Sequence, residues 1–415
     1  MLLEKYSFGI GDRFARQGTA LLQAVINAKN NGFEITPVWN KSHREHLATK
    51  TSPSGVRAEA GGAVAALNFK GPYRVDADHI NLKNVDLFLD SCDFFTIDVA
   101  DFISAPVDQN DIDAFVKKYH SYTGAVTIPR IDKPFNIAAD QVAAAAGKYL
   151  PAVKQAAKIY RRIEKAKGAE NFITEISLDE TDQPQTPIEL FFILVAVADE
   201  KIPAQTIAPK FSGRFNKGVD YIGDVKKFEE EFQQDLAVIA FAIKQFDLPS
   251  SLKLSLHSGS DKFSIYPAIN KALKKFGEGL HVKTAGTTWL EELTGLALAH
   301  PDSLKLVKKI YAKAVARFDE LCAPYAAVIS IDKKALPSPY AVNDWTGEEF
   351  AEALRHDQSC GKYNPNLRQL LHVAYKIAAE MGTDYLNALE KYEKIISQNV
   401  TENIYQRHIK PVFME

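Results

Sequence analysis

Eight short apolar or alternating runs, nearly each followed by a stretch of helical periodicity, constrain this chain more than any other feature. They are SFGI at 7 to 10, FEITPV at 33 to 38, YRVDA at 73 to 77 and FFTIDV at 94 to 99, then FITEISL at 172 to 178, TIAPK at 206 to 210, LKLSLH at 252 to 257 and LHVKTA at 280 to 285. Such units predict parallel strands with helical crossovers, and the right-handedness of those crossovers leads to an α/β fold of the (βα)8 barrel type. A doubly wound open sheet is the competitor. Against it, the turn after the first run reads Gly9-Ile10-Gly11-Asp12-Arg13-Phe14, which lacks the third glycine of a dinucleotide fingerprint.

The intervening segments carry helix signals. Thr186-Pro187-Ile188-Glu189 combines an N-cap hydroxyl, a first-turn proline and a returning carboxylate. From Asp224 to Phe246, apolar residues at steps of three or four (Phe228, Phe232, Leu236, Ile239, Ile243) predict an amphipathic helix. A barrel of ~250 residues leaves much of this 415-residue chain over. The excess is assigned to a helical insertion at about 104 to 170, including the Ala-rich run Ile137 to Lys167, and to a helical C-terminal extension at 301 to 415. The catalytic barrel is then 1 to 300. The basic turn from Lys158 to Lys167 reads as a solvated face.

Composition narrows the function. The 50 Lys and Arg against 52 Asp and Glu leave a net charge of -2, which offers no cationic field for nucleic acid. The longest apolar run, Leu190 to Ala198, falls short of the ~18 residues a membrane helix requires. The opening MLLEKYSFGIGD lacks the basic-then-apolar order of a signal peptide. Cys92, Cys322 and Cys360 are scattered and form neither a disulfide framework nor a zinc motif, so a reducing, cytoplasmic setting is expected.

In a (βα)8 barrel the chemistry collects at the carboxyl ends of the strands. Here those ends carry Asp76, Asp78 and His79; Asp98 and Asp101; Glu175, Asp179 and Glu180; Lys210 followed by the loop to Asp220 and Tyr221; His257, Ser258, Asp261 and Lys262; and His281 and Lys283. On the seventh run Leu252, Leu254 and Leu256 share one face and Lys253, Ser255 and His257 the other, which turns His257 toward the barrel mouth. Glu175, Ser177 and Asp179 share a parity on the fifth. Two histidines on different strands beside several carboxylates make an N/O ligand set for a divalent cation, suited to Zn, Mn, Ni or Co more than to Ca. A lone histidine at a strand end is more often a hydrogen-bonded structural group, and Asp78 and Glu180 could equally cap the following helices. Asp98 and Asp101 read as caps. Lys210, Lys262 and Lys283 either pair with structural acids or form a cationic rim for an anionic substrate. His43 and His46, in SHREHL, read as surface residues.

The runs VDADHI at 75 to 80, SLDETDQPQTP at 177 to 187, APKFSGRFNKGVDYIGD at 208 to 224, SLHSGSDKFSIYP at 255 to 267 and HVKTAGTTWLEEL at 281 to 293 closely resemble the tagaturonate epimerase family, and FGIGDRF at 8 to 14 is similar to its opening strand and loop. The resemblance covers residues 5 to 300, is weak beyond, and is interrupted from Asn40 to Val64. It implies a metal-dependent epimerase that inverts C4 of a ketohexuronate, converting D-tagaturonate to D-fructuronate, with the neutral ketoses fructose and tagatose as further substrates. A metal-dependent aldolase of the class II type and a non-catalytic sugar-binding barrel are the alternatives. By matching the family blocks, Asp78 is expected as base and Glu180 as acid, His79 and His257 as metal ligands, and Asp220 as the carboxylate ligand with Asp179 as its rival. Arg13, Asp179, Lys210, Ser258, Lys262 and Lys283 are expected to bind substrate. Asp78 and His79 are neighbours on a strand and should point oppositely, so joint use of both requires the chain to turn there. The expected partner is a small sugar acid or ketose, with no nucleic acid and no membrane.

Overall fold

The computed structural model describes residues 1–415, the side chain of residue 285 excepted. Eight parallel strands close into a barrel: β1 (Tyr6–Ile10), β2 (Thr36–Ser42), β3 (Arg74–Ile80), β4 (Phe94–Asp98), β5 (Ile173–Ser177), β6 (Thr206–Ala208), β7 (Lys253–His257) and β8 (Leu280–Lys283). Each strand pairs in register with its sequence neighbour, and β1 closes on β8 through Ser7 opposite His281 and Gly9 opposite Lys283. Seven of the expected runs coincide with strands. The second is displaced: the pairing set is Thr36–Ser42, not 33 to 38, because Phe33 and Ile35 pack outside the sheet while Asn40 and Lys41 complete the strand inside the mouth.

Alternation sorts the side chains between two cores. Val75, Phe95, Ile97, Ile176, Leu254, Leu256 and Val282 face the surrounding helices. Val38, Phe94 and Ile173, joined by Leu3, form a small separate plug that fills the lumen at its amino-terminal end. Burying side chains of this size contributes about 1.5 to 3 kcal/mol each, and the plug turns the barrel into a floor on which polar groups can stand.

Helix starts follow local chemistry. Thr186 Oγ1 accepts from Glu189 N (3.2 Å) and Glu189 Oε2 accepts from Thr186 N (2.8 Å), which opens the helix Pro187–Asp199 with a capping box. Asp224 caps Val225–Phe246. Between β4 and β5 lie a short antiparallel hairpin (Gly124–Val126 with Phe135–Ile137) and the helix Ala139–Lys167, whose Lys158, Arg161 and Arg162 are exposed. Residues 301 to 415 contain α, 3-10 and π helices, and the stretch around Pro337 to Trp345 holds the short helix Pro339–Asn343. Among the described residues no helix is long and apolar enough to cross a membrane.

The C-terminal helices are fastened to the barrel by a buried ionic hub. Asp261, in the loop after β7, accepts from Arg368 Nη2 (2.6 Å), Thr287 Oγ1 (2.8 Å) and His356 Nδ1 (3.0 Å), with His408 Nε2 3.1 Å away. All four charged or ionisable groups are essentially solvent-free. Burial alone would raise the Asp261 carboxyl, but Arg368 and the two histidines hold it well below its ordinary value.

Candidate active site

The site begins with a break in the strand rule. Between β3 and β4 the register shifts between Ala77 and Ile80, and His79 adopts φ +51°. A left-handed conformation is uncommon for a residue other than glycine, and with the bulge it re-aims the side chain. Asp78 and His79, which a regular strand would send to opposite faces, both reach the lumen; His79 Nε2 lies 3.9 Å from Asp78 Oδ1 and His79 Nδ1 lies 3.4 Å from Asp98 Oδ2. Asp98 also caps Ala100 N, so it is both a cap and a histidine partner.

Beneath this pair sits Lys283. Its ammonium contacts Asp76 Oδ2 (2.8 Å), Asp78 Oδ1 (2.9 Å) and Glu175 Oε1 (2.8 Å). Thr96 Oγ1 donates to Asp76 and Glu175 from the same layer. Gly9 makes the room: a Cβ there would come within 3.0 Å of Lys283 Cγ. Burial lowers the Lys283 ammonium, but the three carboxylates outweigh it and hold the group well above its usual range. Three acids share one lysine unequally. Burial, opposed by Lys283, leaves Asp76 pushed up to about 7, whereas in Asp78 the pull of Lys283, His79 and His257 overcomes burial and brings it down to about 2.

His257 stands between Glu175 of β5 and Asp179 of the loop after it. Its Nε2 donates to Glu175 Oε1 (2.8 Å), and its Nδ1 faces Asp179 Oδ2 at 3.1 Å without a hydrogen-bond partner. Asp179 is steadied by the Ser177 hydroxyl. Despite burial, Asp179 and Glu175 raise His257 to about 9 and are themselves held low. One nitrogen anchored by a carboxylate and the other aimed at an open acid is the arrangement that orients a metal-ligating histidine. His79, Asp179 and His257 offer ligand atoms within 4.8 Å of one another; His79, Asp98 and Glu180 form a second, more exposed group. The orphaned Nδ1 and the N/O donor set fit a divalent cation of the transition series.

The remaining expected residues fall elsewhere. Asp220 is engaged by Ser264, whose N–H and hydroxyl both donate to it, and it is not in either ligand group; Asp179 takes that position. Lys262 is buried under the β7 loop, donating to the carbonyls of Asn216, Val219 and Asp261. Lys210 donates to the carbonyl of Thr181, and Ser258 Oγ donates to Lys283 O (2.8 Å). With Lys283 in the interior, these lysines do not form a cationic rim. Arg13 is buried, pairs with Glu45 and stacks 4.7 Å over Tyr375. Glu180 is half-exposed, 3.4 Å from Arg44. His46 is not a surface residue: it is buried and bonded to Thr51 Oγ1 (2.9 Å). His43, Arg44, His79, Asp98, Glu180 and Lys376 line a cleft of about 520 Å³ that opens the site to solvent.

Sequence reasoning did not assign site roles to Asp76, Thr96 and Glu175, whose inward parity was the available signal. Arg44, Tyr325, Tyr375 and Lys376 carried no signal, since they come from a segment off the family pattern and from the C-terminal extension; Lys217 lies in the matched run 208 to 224, and its place there was the available signal.

The tagaturonate epimerase family model matches residues 1–412, which extends the likeness over the C-terminal helices as well as the barrel. A tagaturonate/fructuronate epimerase of Thermotoga maritima is 28% identical over 423 residues, a span covering 97% of this chain and 80% of that protein. The glycerol-complexed crystal structure of a fructuronate-tagaturonate epimerase from Cohnella laeviribosi superposes with a TM-score of 0.82 at 24% identity, over 99% of this chain and 82% of that one. Its native form gives 0.81. On the match across nearly its whole length, the chain is an isomerase and belongs to the tagaturonate epimerase family.

Proposed function

We propose that this enzyme interconverts D-tagaturonate and D-fructuronate by inverting C4 through carbon–carbon bond cleavage and re-formation, using a divalent cation. The carrying observation is the group His79, Asp179 and His257 at the barrel mouth, with Asp78 on its inner side and Glu180 on the side of the cleft. The C4 hydrogen of a 2-ketose is activated by neither the ketone nor the carboxylate, so its removal would leave an unstabilised carbanion. Cleavage of C3–C4 avoids this. Asp78, kept ionised by Lys283, accepts the C4 hydroxyl proton; the C3–C4 pair flows toward C2 as an enediolate, and the aldehyde fragment turns before the bond re-forms. Glu180, reaching in from the cleft, returns a proton to the C4 oxygen. Held by His79, Asp179 and His257, a divalent cation would supply Lewis-acid stabilisation of the enediolate charge. Lys283 acts as a positioning residue, fixing Asp78 and Glu175 and through Glu175 the tilt of His257. The three free cysteines favour a cytoplasmic setting.

Purified protein given tagaturonate with Mn, Co, Ni or Zn should form fructuronate, and Asp78→Asn and Glu180→Gln should each lower kcat by a factor of about 100 or more while the fold is kept. No conversion by folded, metal-loaded protein overturns the reading. Net accumulation of three-carbon products would make the enzyme an aldolase.

A further inference from the structure

The residues expected to grip an acidic substrate are consumed by internal contacts, yet a different set of cations converges beside the cleft. Arg44 Cζ lies 5.5 Å from the ring centre of Tyr325, and Lys217 Nζ lies 6.0 Å from the same ring. Tyr325 and Tyr375 share a hydroxyl–hydroxyl contact of 2.7 Å, and Arg13 stacks over Tyr375. The barrel supplies the three cations, and the C-terminal helices supply both tyrosines. Lys217 N donates to Val328 O (2.8 Å), which ties the β6 loop to the segment that carries Tyr325.

These cations are not equally committed. Arg13 is paired with Glu45 out of solvent. Arg44 meets Glu180 through a single 3.4 Å contact with both side chains about half exposed, a pairing worth at most about 1 kcal/mol. Among the described residues no carboxylate contacts the Lys217 ammonium, and its strongest charged neighbour is Glu180. Glu180 in turn belongs to the second ligand group with His79 and Asp98, so Arg44 reaches the His79 side of the proposed metal position through it.

We propose that Arg44 and Lys217, presented on Tyr325 of the C-terminal extension, form the subsite that binds the substrate's carboxylate group. The inference rests on the reading of the substrate as a sugar acid. A guanidinium and an ammonium gathered at one aromatic ring offer two charge-assisted donors to a single carboxylate. Taking Arg44 also releases Glu180 from the one ion pair it makes among the described residues, so capture of the acid end frees the group assigned to protonate the C4 oxygen. A neutral ketose would leave the Arg44–Glu180 pair closed. In this way the extension contributes to acid recognition directly, and not only by packing.

The test uses a matched pair of ligands, D-galactonate and galactitol, which differ in the carboxylate, titrated calorimetrically into the full chain after chelation so that no cation holds the acid. The wild type should prefer galactonate by about tenfold or more, the yield of one charge-assisted hydrogen bond. Lys217→Met and Arg44→Met should each erase most of that preference without changing galactitol binding, and Arg44→Lys should restore part of it. Equal binding of the two ligands by the wild type, no measurable galactonate binding, or parallel loss of both ligands in the variants overturns the subsite. Galactonate preference without tagaturonate turnover would leave the subsite standing and sink the proposed reaction; turnover without the preference would do the reverse.

Discussion

His79 shows why a residue can be found in a sequence while its geometry cannot. Its type and its place after an apolar run marked it as a ligand, but the +51° φ that brings it alongside Asp78 depends on the bulge against β4, a pairing between segments. Lys283 was legible as a strand-end cation, and its burial among Asp76, Asp78 and Glu175 was not, because that requires strands from opposite sides of the barrel to meet. Asp220 was ranked ahead of its rival Asp179 for the same reason, and it is Asp179 that lies with the two histidines. Two expectations belong at this scale. Glu175→Gln keeps the shape but removes the charge that anchors His257 Nε2, so affinity for the divalent cation should fall about 10- to 100-fold, read by metal titration of the chelated protein. Unchanged affinity would mean that Glu175 does not orient the ligand. Gly9→Ala would drive a methyl into Lys283 at 3.0 Å from its Cγ and 3.1 Å from its Cα. It should cost about 1 to 3 kcal/mol of stability by overpacking and lower kcat more than it raises KM; a variant with normal kcat would show that the lysine's position is not needed.

Among the elements, legibility followed how local the cause is. The helix Pro187–Asp199 begins where Thr186 and Glu189 say it should, since a capping box is written within four residues. Strand β7 could be oriented from its alternation alone. The displaced start of β2 could not be read, because Phe33 and Ile35 are as apolar as strand residues and only packing against the helices places them outside. The ionic hub at Asp261 was out of reach for a further reason: Arg368, His356 and His408 lie about a hundred or more residues away in sequence. Removing the charge there should be severe. Asp261→Asn leaves the buried Arg368 guanidinium without its counter-charge, with only the carbonyls of Gly218 and Leu354 and a neutral amide, and loss of about 3 to 5 kcal/mol is expected in denaturant unfolding. A loss below 1 kcal/mol would show that the hub does not fasten the C-terminal helices.

At the level of the whole molecule, the extension accounts for the length left over by the barrel: it is pinned to the loops after β7 and β8, and its tyrosines stand at the mouth. The near-neutral net charge hides a strong segregation, with acids and histidines around the proposed metal position, cations beside Tyr325, and buried carboxyls pushed above their ordinary range in the seam between the helix Thr288–Ala299 and the C-terminal segment. That seam makes stability depend on pH. Glu291 is buried there, accepting from Asn403 Nδ2 (3.0 Å), and burial, opposed by Arg368, pushes its carboxyl up to about 7 from an ordinary 4.5. Between those values the folded chain holds a proton that the unfolded chain has released, so the contribution is complete below pH 4.5 and is lost as pH rises through about 7. A shift of this size corresponds to roughly 3 kcal/mol. Glu292, on the same helix, is raised in the same direction by burial and by Asp12, so the seam as a whole favours the acid side. Glu291→Gln cannot ionise. Relative to wild type it should gain about 3 kcal/mol of unfolding free energy between pH 4.5 and pH 8, measured by denaturant titration at both values. If the difference between variant and wild type is the same at both, Glu291 is ionised in the folded protein and the seam is held by its charge, not by its proton.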